Sequence, residues 1–393
     1  MRFTLIDLFI VVAIIFAISS GYRRGFWLSL AQYAGLVIGV VIGAGLAPLI
    51  TNALSIHDAT IKSLAAIVIL IVAGTIGSSV GFWVGEPIRL RLLARPQSGQ
   101  LDSVGGAIFS AVAVLSVSWF LGLSLARVPS PGLSIAIQRS TILRDVDAIF
   151  PRPPAFLARV QAIIAGVNFP SAFSGLEPTP SALPLPASIN TPGIQRAEAE
   201  TLKVQGFGCG GIVFGSGFPV GPDMVLTNAH VVAGTSGTTV QDGAGNSARA
   251  RVVLFDPERD VAILYVPRLG SSFPALPQAT ADSGTQGAAI GYPGGGNEQA
   301  KPAVVNGQVL AQGRDIYGQN LVTRQIWITE ADVQPGNSGG PLVDLNGALI
   351  GVVFAASTSQ PGEAYALTDA EVQPDINAGQ GRTQSVPVGS CAM

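Results

Sequence analysis

Residues 334–342, Gln-Pro-Gly-Asn-Ser-Gly-Gly-Pro-Leu, set Ser338 in a turn flanked by glycines. A serine hydroxyl is a weak nucleophile at neutral pH. It needs a base beside it, an acid to orient that base, and donors for the charge that grows on the attacked oxygen. His230 ends Thr-Asn-Ala-His after the apolar run Met224, Val225, Leu226, which puts an imidazole where a strand runs out into a loop. Asp260 opens Asp-Val-Ala-Ile-Leu, at the lip of a short buried strand, where a carboxylate fixes the imidazole tautomer and stabilises the imidazolium. Gly336 tolerates unusual dihedrals, so its N–H and that of Ser338 can converge on one pocket as oxyanion donors. Singly, these read as a turn, a strand cap and a half-buried histidine. In the order His, Asp, Ser they read as acyl transfer through a serine-bound intermediate.

With those residues on view, the stretches 227–230, 260–264 and 336–342 resemble the trypsin-like serine proteases, and more closely their bacterial HtrA-type branch, over about residues 200–393. From Val204 onward, short aliphatic runs alternate with glycine-rich turns, an all-β pattern. The resemblance sharpens this to a chymotrypsin-like double β-barrel, two six-stranded barrels with the triad in the cleft between them. It implies peptide or protein substrates and neither metal nor organic cofactor. Asp332, six residues before Ser338, falls where that fold places the base of the primary specificity pocket, and an acid there favours Arg or Lys before the scissile bond. HtrA-type relatives carry a small residue there, so a solvated loop aspartate stays open as the alternative. Phe354, Ala355, Ala356 and the turn at 357–362 are expected to line the rest of the cleft. Asn337 stands where the digestive branch has an aspartate that pairs with a new N-terminus, so activation by that salt bridge is not expected.

Elements outside this domain must hold it somewhere. The chain has 393 residues, 48% hydrophobic and 12% charged, more apolar than an ordinary soluble protein. A net charge of −2 with no basic stripe gives no sign of nucleic acid, and with His57 and His230 the only histidines a histidine-rich metal site is excluded. Apolar stretches at 3–18, 26–50, 61–84 and 104–125 read as four transmembrane helices, each near or above the roughly 20 residues a bilayer requires except the shorter first. That first stretch lacks the arrangement of a signal peptide, since Arg23 and Arg24 follow it. Arg23, Arg24, Arg89, Arg91 and Arg95 fall on one side and only Arg2, Lys62 and Arg127 on the other. The positive side stays cytoplasmic, so both termini and the protease are expected outside, on a multi-pass plasma-membrane protein. Gly35, Gly39 and Gly43, and Gly77, Gly81 and Gly85, recur every four residues and predict close helix packing, within the bundle or with a second copy. Asp7 lies in the first run, an interfacial carboxylate or a relay. The four-helix layout and Gly21-Tyr22-Arg23-Arg24-Gly25 resemble the colicin V production (CvpA) family over about residues 1–125. The whole chain resembles the mycobacterial membrane-anchored serine proteases associated with acid resistance, which implies a stress role in the cell envelope.

Between these halves, residues 126–200 hold prolines at 129, 131, 151, 153, 154, 170, 178, 180, 184, 186 and 192, the signature of an extended spacer. A short helix is expected at 155–167, and self-cleavage is easiest around 178–201. Cys209 and Cys391, the only cysteines, read as a disulfide in an extracytoplasmic domain, structural or, as the minor alternative, a redox switch. The expected architecture is therefore a membrane domain at 1–125, a spacer at 126–200 and a protease domain at 201–393. Two other functions stay open: a peptide-binding sensor or scaffold that does not cut, and a channel or transporter with an accessory protease.

Overall fold

The computed structural model describes residues 4–54, 59–92, 98–125, 136–149, 172–178, 182–267, 274–357 and 360–392. The chain divides into two units, residues 1–167 and 168–393. In the first, α1 (Leu5–Arg24), α2 (Phe26–Ala53), α3 (Ala59–Leu92) and α4 (Ser98–Leu125) are all long and apolar enough to cross a membrane. Between the apolar stretches 3–18 and 26–50 the helix does not stop early: α1 runs through Arg24 and only Gly25, at φ 83°, breaks it. Asp102 of α4 makes so short a break tolerable. Its carboxylate accepts the N–H groups of Phe26 (2.9 Å) and Trp27 (3.3 Å), orphan donors at the start of α2, and pairs with Arg89 at 3.2 Å.

The glycine repeats face one another inside this unit. A Cβ at Gly35 would strike the Gly77 carbonyl, and one at Gly77 the Gly35 carbonyl, so α2 and α3 touch backbone to backbone. Asp7 has a structural task as a cap. It is fully buried, closes a capping box with Thr4, and accepts from Ser140 Oγ (2.6 Å) and the Ile142 N–H (3.0 Å), thereby capping the helix Thr141–Ile149.

That helix corrects the expected spacer. Trp119 Nε1 donates to Asp147 Oδ1 at 2.8 Å, fixing residues 136–149 to the helical unit. At the other end, Ala172, Phe173, Ile194 and Ala197 are buried in the catalytic core, and Pro192–Glu200 is a helix capped by Thr191. Proline at the first turn starts that helix because its missing N–H is an orphan there anyway. Prolines punctuate this segment without keeping it extended, because apolar residues between them find cores to enter. The helix expected at 155–167 lies outside the described residues.

The catalytic unit is all-β around two sheets. The first contains β1 (Leu202–Gly208), β2 (Gly211–Gly221), β3 (Met224–Thr227), β4 (Thr235–Gln241), β5 (Ser247–Arg249), β6 (Arg251–Asp256) and β7 (Val261–Tyr265), in the order β5-β4-β1-β2-β3-β7-β6. Only Ala250 separates its two outermost strands in the chain, so the sheet curls round on itself as a seven-stranded half-barrel, where six closed strands were expected. The second contains β8 (Gln286–Gly291), β9 (Gln299–Arg314), β10 (Leu321–Glu330), β11 (Pro341–Asp344), β12 (Leu349–Ala356) and β13 (Glu363–Thr368), and these six close into a barrel. Antiparallel neighbours throughout let alternate side chains fill each interior. A helix, Asp369–Gly379, packs Val372 and Ile376 into the same core. Cys209 and Cys391 are joined, and with Val386 and Val388 packed on the first sheet the bond ties down the C-terminal stretch.

Candidate active site

His230 lies on the one-turn helix Ala229–Val232 directly after β3, and Asp260 ends the turn between β6 and β7. Two bonds join them. The His230 backbone N–H donates to Asp260 Oδ1 (2.9 Å), and His230 Nδ1 meets Asp260 Oδ2 at 2.7 Å. A carboxylate only accepts, so Nδ1 carries the proton and Nε2 is left as the acceptor, the tautomer a general base requires. Asp260 is 1% exposed and sits at φ 65°, a left-handed conformation uncommon for a residue with a Cβ. Asn228 stabilises that conformation by donating Nδ2 to the Asp260 carbonyl at 2.7 Å.

The nucleophile turn comes from the second barrel, where it joins β10 to β11. Its links to the first sheet run through Ser216 of β2: the Ser216 N–H donates to the Ser338 carbonyl (2.7 Å) and Ser216 Oγ to the Gly336 carbonyl (2.7 Å). Tyr292 N–H donates back to Ser216 Oγ at 2.9 Å. A Cβ at Gly339 would collide with the Ser216 carbonyl and Thr227 Oγ1, which shows how closely the serine turn approaches the strand leading to His230. Behind it, Gly339 N–H donates to Val353 O (2.8 Å) and Val353 N–H to Gly340 O (2.9 Å). Gly336 has φ 103°, which a side chain would strain, and neither its N–H nor that of Ser338 enters a backbone hydrogen bond among the described residues. Two donors are thus left beside a 3% exposed serine, the arrangement an oxyanion hole requires.

Residues 215–352, which span all three candidate residues, match the trypsin-like peptidase domain family, and residues 6–151 match the colicin V production protein family. Serine protease Rv3671c of Mycobacterium tuberculosis is 34% identical over 98% of both chains. This chain belongs to the Rv3671c family of serine proteases. The crystal structure of the active form of the Rv3671c protease superposes with a TM-score of 0.50 at 41% identity, covering 56% of this chain and 99% of that one. A probable periplasmic DegP-like serine endoprotease of Halomonas elongata is 32% identical over 39% of this chain and 32% of its own length.

Around the three candidate residues, the cleft lining differs from expectation. Asp332 is exposed, so it does not form the floor of a closed pocket. Phe354 is 1% exposed, and its ring lies in the barrel core with the Arg324 guanidinium 6.0 Å from its centroid. Ala355 is fully buried and Ala356 half-buried. Both faces of β12 are buried from Leu349 to Ala355, so the strand lies inside the barrel core along almost its whole length. A buried acid, Glu363, sits at the start of β13 beside that strand. It accepts from Tyr365 OH (2.8 Å), and burial pushes its carboxyl up to about 7. Ser216 had no sequence signal, and Asn228 was quoted only as part of the motif before His230, because each works through a backbone carbonyl distant in sequence.

Proposed function

We propose that this protein is a membrane-tethered serine endopeptidase whose catalytic unit faces the extracytoplasmic side and cleaves cell-envelope proteins by acyl-enzyme chemistry. Ser338 Oγ attacks the scissile carbonyl while His230 Nε2 takes its proton, and Asp260 holds the imidazole and stabilises the imidazolium. The N–H groups of Gly336 and Ser338 stabilise the tetrahedral oxyanion; His230 then returns the proton to the leaving amine, and water repeats the sequence to free Ser338. The observation that carries this reading is the doubly bonded His230–Asp260 pair, at 2.9 and 2.7 Å, beside a glycine-framed Ser338 turn with unengaged N–H groups. An idle peptide-binding fold has no need of either feature.

The asymmetry of arginines between helix ends supports the outward orientation, and the family's association with acid stress supports a role in envelope stress tolerance. Exposure of Ala182, Pro184, Leu185, Ala187, Ser188 and Asn190, outside any helix or strand, supports self-cleavage within the stretch 182–190. Reaction with a fluorophosphonate probe tests the site. The full-length protein is expected to label, and Ser338→Ala and His230→Ala are each expected to abolish labelling. Labelling that survives Ser338→Ala would remove the proposal.

A further inference from the structure

Arg324 stands in the middle of β10, 3% exposed, and among the described residues it makes no ion pair. Burying a guanidinium without a carboxylate beside it is costly, and a fold retains such a group only where its hydrogen bonds do something a neutral side chain would not. Here one of them crosses from the closed barrel to the half-barrel and the other stays within the closed barrel. Arg324 Nε donates to the Glu258 carbonyl at 2.7 Å and Nη2 to the Arg314 carbonyl at 3.0 Å, while the other face of the guanidinium rests over Phe354. Glu258 lies two residues before Asp260, in the turn whose last residue must hold φ 65° for its carboxylate to reach His230.

We infer that Arg324 is a positioning residue for catalysis: by gripping the Glu258 carbonyl from the opposite barrel, it fixes the turn that presents Asp260 to His230. The inference rests on the triad reading above. Other anchors of the turn leave this role open. Asn228 holds the Asp260 carbonyl from one side. Arg259 is engaged by side-chain carboxylates, those of Asp256 (3.1 Å), Glu371 (3.4 Å) and Asp375 (3.6 Å). Ile316 N–H reaches the Pro257 carbonyl at a longer 3.2 Å. From within the turn the Asp256 carboxylate accepts the N–H groups of Glu258 (2.8 Å) and Arg259 (2.9 Å), whereas Arg324 supplies the short, charged contact that reaches the turn from the opposite barrel. Burial pulls the guanidinium's pKa down, and the acids beyond ion-pair distance, Asp260 first, then Glu371, Asp256 and Asp315, only partly oppose that pull. A forked, planar donor meets two carbonyls at once, a geometry that lysine lacks.

The test uses full-length protein in detergent and separates the maximal labelling rate, kinact, from the probe's binding constant, KI, for a fluorophosphonate. Arg324→Met keeps the aliphatic stem on Phe354 and loses both bonds. A misplacement of about 1 Å costs about a hundredfold in rate, so kinact should fall about a hundredfold with KI unchanged. Arg324→Lys, which keeps the charge and one donor, should fall about tenfold. The downfield proton resonance of His230 Nδ1–H bound to Asp260 should weaken or shift in Arg324→Met, a signature that loss of barrel packing alone would not produce. Wild-type kinact per folded molecule in Arg324→Met overturns the inference, as does a drop explained wholly by unfolded protein. Should Arg324→Met fail to fold, Arg324→Lys decides, and wild-type kinact there overturns it. Wild-type protein that does not label, or labels without Ser338, defeats the serine-hydrolase reading and the inference together; a Ser338-dependent wild type with normal Arg324 variants defeats the inference alone.

Discussion

Glu363 makes the catalytic unit's stability depend on pH in a direction that can be worked out. The carboxyl is 3% exposed, with burial the largest cause of its raised pKa, opposed by the Tyr365 hydrogen bond and reinforced by Glu177 and Glu330 nearby. Its pKa moves from 4.5 to about 7. Between those values an unfolded chain gives up this proton and the folded one keeps it. The folded state then binds more protons, so the stabilisation is complete below pH 4.5 and is lost as the pH rises through 7. The shift corresponds to about 3 kcal/mol, equivalent in a unit of this size to roughly 6–10 °C in Tm. Glu363→Gln removes the proton from the cycle while its amide oxygen still accepts from Tyr365. Thermal unfolding at pH 5 and pH 8, followed by tryptophan fluorescence on a Ser338→Ala background to prevent self-digestion, should show a Tm that falls with pH in the parent. The Gln variant should match the parent at pH 5 and exceed it by several degrees at pH 8. Glu298, pushed up to about 7, and Asp375, pushed up to about 6, both mainly by burial, act in the same direction, so some slope will remain. An identical slope in the two proteins would refute the assignment.

Two further outcomes follow from the same structure. Cys209→Ser opens a bond spanning 182 residues, and the chain-entropy account puts its contribution at about 5 kcal/mol; Tm should drop by about 10 °C or more, with reductant reproducing the drop in the parent, and an unmoved transition in both would refute a structural role. Ser216→Ala removes the hydroxyl that links the Gly336 carbonyl to the Tyr292 N–H, so it should cost about 2 kcal/mol in a denaturant melt and slow fluorophosphonate labelling about tenfold or more, because Gly336 can then turn its N–H away. Labelling at the parent's rate would show that the donor is held without Ser216.

The turns and strand ends that carry the candidates His230, Asp260 and Ser338 were legible because the local chain does much of the positioning. Glycines at 336 and 339 take positive φ where a side chain would collide, and the strand before His230 is a continuous apolar run, so short motifs carry the backbone geometry with them. The four helices were legible for a similarly local reason, length and uniform hydropathy. What escaped were contacts whose energy comes from pairs far apart in sequence. Ser216 reaches Gly336 across 120 residues, and Arg324 reaches Glu258 across 66, yet neither residue type nor spacing distinguishes them from a strand serine or a surface arginine. The spacer failed for the converse reason. Its prolines signal breaks in helices, but Phe173 buried against Tyr365, ring centroids 5.3 Å apart, decides that the segment folds onto the barrel, and nothing near Phe173 names that partner. Asp332 shows the same limit at the specificity site, since counting back from Ser338 assumes a loop length, and in this loop the count lands on an exposed position. Chemistry that one turn of chain can hold is therefore readable from residue types, whereas orientation of that chemistry depends on side chains from the opposite barrel. Arg324 makes the distinction testable: if it positions Asp260, the triad is complete in sequence but operative only when the two barrels are correctly packed.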